Sequence, residues 1–129
     1  MGMLRKLLLL SFLMSVMAFG RVYELRTYTC EPGRLEALKA RFRDHTIRIF
    51  NKHGMESIGY WVPEDPERSQ NTLIYVLAHP SREEGEKNWK AFQDDPEWKK
   101  VAAESEKDGK IVQKVERIWM DPTAFSKLK

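Results

Sequence analysis

"TLIYVLA", residues 72–78, decides the fold. It is short, apolar and β-branched, and a polar stretch precedes it, so it reads as a strand. Successive side chains of a strand point to opposite faces. Leu73, Tyr75 and Leu77 therefore share one side, while Ile74, Val76 and Ala78 share the other. A sheet with one face in water alternates apolar and polar residues; this segment is apolar on both. "MESIGYWV", residues 55–62, behaves alike, with Ile58, Tyr60 and Val62 opposite Met55, Gly59 and Trp61. Both faces of the sheet need a cover.

Working outward, "VYELRTYTC" (22–30) reads as a first strand closed by the turn residues Pro32 and Gly33. From Arg34 to His53 the apolar spacing becomes helical, with Leu35, Leu38, Phe42, Thr46 and Ile49 three and four apart. Gly54 stands where a helix end wants a left-handed residue. Residues 63–71, "PEDPERSQN", are a loop. Ser81 and Glu84 have capping-box spacing at the start of a helix that runs through Trp89 and Phe92. It breaks at "DDPEW" (94–98), where Asp95 can cap and Pro96 can open a further helical segment reaching about Lys107. After Gly109, "KIVQKVERIWM" (110–120) supplies the fourth strand. The order βαββαβ predicts an α+β, ferredoxin-like domain: a four-stranded antiparallel sheet with its helices on one face. Helix is left to cover only that face, so a second copy is expected on the other, giving a homodimer with a dimeric α/β barrel between the sheets.

Glu24, Arg26 and Tyr28 fall two apart on the first strand and share a face. The opposite row, Tyr23, Leu25 and Thr27, suits the helix-covered side, so the polar row is expected to point into the space between the two sheets. An unpaired buried charge is costly, so Glu24 and Arg26 should pair with each other, with Lys114, Glu116 or Arg117 of the fourth strand, or with a ligand.

Residues 1–20 read as an export signal: Arg5 and Lys6, an apolar run from Leu7 to Phe19, and small residues at Ala18 and Gly20. The run is shorter than the roughly 20 residues a spanning helix needs. Residues 21–121 then form one domain and 122–129 a short tail. The expected location is periplasmic or secreted, without stable membrane insertion. Removing the two cations of the leader from the 22 in the chain leaves a formal +1 against the 19 acids. Charges of both signs are interleaved, which excludes a nucleic-acid stripe. Cys30 is the single cysteine, so no internal disulfide forms, and its place at a strand end predicts a buried thiol.

Glu24-Leu25-Arg26-Thr27-Tyr28, His53-Gly54-Met55, Gly59-Tyr60-Trp61 and Asp95-Pro96-Glu97-Trp98, in this order and spacing, resemble the NIPSNAP family. The resemblance runs from Tyr23 to about Pro122. It implies a dimeric α/β-barrel fold and brings no catalytic set with it. Animal members that share the domain are mitochondrial and linked to vesicle transport and removal of damaged mitochondria. A single domain behind an export signal departs from them, and those roles are not carried over.

Of the histidines, His45 lies three after Phe42 and four before Ile49, in the stripe of the first helix, where it could move a proton. His53 precedes the glycine cap and can serve the last carbonyls of the helix. His79, before a proline, is expected to end its strand in solvent. No metal-ligand spacing, GxSxG, P-loop or dinucleotide glycine motif occurs, so no metal and no cofactor is expected. The tryptophans read as core or interface anchors, with Trp61, at the end of the second strand, the one placed near a ligand entrance.

Two function classes follow. One is binding of a small, partly apolar molecule in the inter-subunit barrel, with Glu24, Arg26, Tyr28, His45, Trp61 and Tyr75 as ligand-binding candidates. A cofactor-independent monooxygenase-like enzyme is its catalytic variant, by analogy of architecture. The other is a non-catalytic homodimeric interaction module whose polar row is an internal salt bridge.

Overall fold

The computed structural model describes residues 20–129; the expected export signal lies, apart from Gly20, outside the described residues. Strand β1 (Val22–Cys30) leads to helix α1, built of Leu35–Arg41, a π-helical turn Phe42–Thr46 and Ile47–Lys52. Strands β2 (Glu56–Trp61) and β3 (Thr72–His79) follow, then helices α2 (Arg82–Asp94) and α3 (Pro96–Ser105), and strand β4 (Val112–Met120). The sheet order is β2-β3-β1-β4, antiparallel throughout. This is the expected ferredoxin-like α+β arrangement, its second crossover divided into two helices.

The stripe read for α1 is the buried one: Leu35, Leu38, Phe42, Thr46 and Ile49 all lie inside, joined by Phe50. They meet Leu73, Tyr75 and Leu77 of β3 and Trp89 and Phe92 of α2 in one core. Gly54 has φ +74°, which a side chain on Cβ would oppose. The turn it allows lets Met55 N–H donate to Phe50 O at 3.0 Å and start β2. His45 does not stay in the stripe. The π turn is wider than an α turn, so it brings Thr46 inward, its hydroxyl on Arg41 O at 3.2 Å, and leaves His45 exposed.

The break between α2 and α3 forms as the sequence predicts. Pro96 opens α3, and Asp95 accepts from Glu97 N–H at 2.8 Å. The other oxygen of Asp95 holds Lys52 at 2.8 Å and His53 at 2.7 Å, tying the end of α1 to this corner. His53 thus serves Asp95 rather than the helix carbonyls. The hydrogen bonds from Lys52, His53 and the Glu97 amide keep Asp95 well below the ordinary carboxylate range. A group with a depressed folded pKa stabilises above its unfolded value, about 3.9, and loses that contribution as pH falls through the folded value. Asp95→Asn should therefore melt below the parent at neutral pH, and the two melting temperatures should converge in strong acid.

Two expectations about the faces fail. In the register of β1 on β3, Glu24 pairs with Leu77, Arg26 with Tyr75 and Tyr28 with Leu73. The polar row therefore shares the helix-covered face, and Tyr23, Leu25 and Thr27 lie on the open face beside Ile74, Val76 and Ala78. In β2 the register shifts between Ser57 and Gly59. The extra residue, Ile58, parts from Tyr60 and joins Trp61 and Val76 on the open side. There the Trp61 ring folds over Gly59, a place only a missing Cβ leaves open. On the open face β3 presents Ile74, Val76 and Ala78 after a buried Thr72 whose hydroxyl is taken by Asn71 at 2.7 Å, while β4 adds Ile118, 56 % exposed, and a Lys114–Glu116 pair at 3.4 Å. The tail residues Pro122 and Leu128 border a groove of about 350 Å³ at one end of it. No helix among the described residues is long and apolar enough to cross a membrane.

Candidate functional site

Beneath α2, the first strand carries a polar network inside an aromatic core. The carboxylate of Glu24 has no exposed surface. One oxygen accepts from Trp89 Nε1 at 2.7 Å and meets His79 Nε2 at 2.8 Å; the other accepts from Arg26 Nη1 at 3.0 Å and lies 3.7 Å from Arg117 Nε. Burial alone would raise the pKa of Glu24. The hydrogen bonds from His79 and Trp89 and the charge of Arg26 outweigh it and hold the group below its ordinary value. Since an ionised carboxylate only accepts, the hydrogen of this His79 contact sits on Nε2.

Arg26 lies between two rows of partners. Nε donates to Tyr75 Oη at 2.9 Å and Nη2 to Tyr28 Oη at 3.2 Å, while the guanidinium stacks 4.1 Å from the centre of the Trp89 ring. Burial opposes its charge, but the two phenol oxygens and Glu24 outweigh burial and keep it protonated. The hydroxyl of Tyr75 passes its hydrogen to Tyr28 Oη at 2.9 Å, and burial pushes the Tyr75 phenol well up, so it stays neutral. Arg117 closes the outer side, 3.6 Å from Glu86 of α2.

Helix α2 comes this near because residue 85 is glycine. A Cβ there would stand 2.7 Å from the Trp119 ring and 2.9 Å from the His79 ring. His79 Nδ1 and Trp119 Nε1 are buried in this corner without hydrogen-bond partners, their rings 5.2 Å apart.

Of the six ligand-binding candidates, the structure brings four together: Glu24, Arg26, Tyr28 and Tyr75. Trp61, 53 % exposed, is on the opposite face of the sheet, and His45 borders a separate groove between α1 and α3. The fully buried His79 corrects the expectation of a solvent position: it shares the parity of Leu73, Tyr75 and Leu77, which was the signal for its place under the helices. Trp89 was legible only as an anchor; nothing local marks its indole N–H as a partner for Glu24. Among the three charges of β4 offered as partners, Arg117 alone reaches the carboxylate. Cys30 is buried and free, and burial pushes its thiol up. Among the described residues no group of three or more His, Cys, Asp or Glu is placed to hold a metal ion.

The sheet order and the helix-covered polar network define an α+β domain of the ferredoxin-like type. The NIPSNAP family model matches residues 23–127, and the chain belongs to the NIPSNAP family. A NIPSNAP family protein of unknown function from Agrobacterium tumefaciens is 25 % identical, with a TM-score of 0.74 over 87 % of this chain and 96 % of its own. A NIPSNAP-like domain protein from Burkholderia xenovorans is 17 % identical, with a TM-score of 0.70 over 82 % of this chain and 88 % of its own. A candidate antibiotic biosynthesis monooxygenase from Bacteroides thetaiotaomicron shares the fold at 20 % identity and a TM-score of 0.54, over 85 % and 95 % of the two chains. No curated protein matches the chain.

Proposed function

We propose that this NIPSNAP domain binds a small, partly apolar anion on the helix-covered face of its sheet, at the edge formed by Arg26 and Tyr28. The observation that carries the reading is an unfinished set of donors. A guanidinium has five N–H groups; three of those on Arg26 are used, by Tyr75, Glu24 and Tyr28, and its side chain is 12 % exposed. Tyr28 Oη accepts from both Tyr75 and Arg26, which leaves its own hydrogen without an acceptor. The donors are held in place by Glu24 and by the Trp89 ring, so little ordering remains for a ligand to supply. The reading is one of binding rather than reaction: the carboxylate of the network is closed by its partners, and the Tyr75 phenol is kept neutral. It moves the site from the inter-subunit space to the helix side.

The second part of the proposal is a homodimer joined through the open face, where Ile74, Val76, Ile118 and Trp61 are left by their own chain. Export through residues 1–20 accompanies it. One observation favours the plainer alternative, a non-catalytic module whose network only fixes the fold. Among the described residues, neither Glu24 nor Arg26 lines any of four well-formed grooves of about 290–400 Å³.

Native mass spectrometry separates these readings. The exported parent should weigh twice the mature chain and carry a small acidic molecule. Arg26→Lys keeps the charge but cannot make the same fork, so it should keep the dimer and lose the molecule. A monomer would end the dimer proposal. A ligand-free parent, or equal retention by Arg26→Lys, would leave the structural reading in place.

A further inference from the structure

Between α1 and α3 lies a groove of about 380 Å³ that the Arg26 network does not use. Ala37, Ala40 and Val101 give it an apolar lining, and Arg34, Arg41 and His45 border it. Arg41 is the unusual member. Its side chain is 7 % exposed, yet of its five N–H groups one is placed, on Ser105 Oγ at 3.2 Å, with Glu106 at 3.7 Å. Arg34 reaches the same residue, donating through Nη2 to Ser105 O and Gly109 O, both at 3.1 Å. The two guanidiniums therefore converge on the end of α3, and the Nε of each is buried without an acceptor. Donors left in this state are costly.

The groove also lies along the π-helical turn, a rare element that recurs at functional sites. That turn rotates His45 out of the core and onto the groove's rim. The charge around the rim selects the kind of ligand. Arg34, Arg41 and Lys107 are balanced by Asp44, Glu104 and Asp108, with Glu106 beside Arg41, so net charge draws no anion in and the acids repel a multiply charged one more than a singly charged one. Asp44 is itself engaged by Arg43, at 2.9 and 3.2 Å.

We infer that this groove binds a small monocarboxylate, whose carboxylate takes up unpaired N–H groups of Arg41 and Arg34 and whose apolar body lies on Ala37, Ala40 and Val101. The site is separate from the one at Arg26.

The test is titration of the protein with hexanoate, followed in proton–nitrogen correlation spectra that include arginine Nε–H signals. Saturable shifts are expected at the Arg41 Nε–H and at the amides of Ala37, Ala40 and Val101. Ala40→Leu fills the groove from a half-exposed flank of α1 and breaks no arginine bond; it should weaken hexanoate by about tenfold or more. Arg41→Lys should act in the same direction. Midpoints are read from the Ala37 and Val101 signals alone, and from Arg41 where it is present, which distinguishes this site from the one at Arg26. Absence of a saturable shift at Arg41, shifts centred on Arg26 instead, or unaltered affinity in a folded Ala40→Leu would each overturn the inference.

Discussion

Glu24→Ala should lower the unfolding free energy by about 3–5 kcal/mol, the cost of breaking a buried ion pair from one side. The size follows from what the substitution leaves behind. Arg26 keeps its charge under α2 with only phenol oxygens to accept from it, while the Trp89 indole N–H and His79 Nε2 lose their acceptor altogether. Arg117, exposed to a greater degree, can turn to Glu86 and to water. Urea titration should show a lower midpoint with little change of slope, since the surface exposed on unfolding is nearly the same. Glu24→Gln should recover part of the loss, because an amide oxygen still accepts from one donor but its NH₂ faces another. The sign with pH is also set. Glu24 has a folded pKa below its ordinary value, so its contribution is present near neutrality and fades as pH falls through that folded value. The gap between parent and Glu24→Ala should narrow on acidification. A loss under 1 kcal/mol would mean that water replaces the carboxylate as acceptor, and the network would no longer account for the order of the site.

Phe50→Ala is expected to be as damaging, at about 3–5 kcal/mol. Phe50 is 1 % exposed and stands where α1, α2 and β3 meet. Its ring centre is 4.9 Å from that of Phe92, 5.3 Å from Trp89, 6.0 Å from Phe42 and 6.1 Å from Tyr75. Truncation opens a void lined by rings too large to close it, so the cavity adds to the lost transfer energy. The consequence reaches the site, because Trp89 both stacks on Arg26 and donates to Glu24. Phe50→Ala and Glu24→Ala share that residue, and their combined loss should differ from the sum of the two. Chemical denaturation of the two single variants and the double variant measures this directly. Strict additivity would show that Trp89 holds its place without Phe50.

The elements of this chain were legible because their signals are local. The Leu35-to-Ile49 spacing marks α1, and the buried stripe follows it residue by residue. Asp95 and Pro96 carry the break between α2 and α3 in adjacent positions, and Gly54 ends its helix by conformation alone. The misreadings have equally definite causes. His45 left the stripe because the π turn faces it outward while Thr46 and Ile49 stay inside, and no residue type announces such a turn. Ile58 changed face because a bulge inserts one residue into β2. The place of His79 was readable from its parity with Tyr75 and Leu77, but the neighbouring proline suggested a strand end in water.

What the amino-acid sequence determined by itself was the order βαββαβ, the two apolar faces of β3, and a Glu24-Arg26-Tyr28 row that had to lie on a single side of β1. These follow from periodicities and caps that act over a few residues. Which side that row takes was decided only in the tertiary structure. The register of β1 against β3 sets the face, and the donors that make a buried Glu24 tolerable include His79 Nε2 and Trp89 Nε1, 55 and 65 residues further along the chain. A charge is admitted beneath helices only where enough partners converge on it, and convergence is a property of the folded chain rather than of any segment.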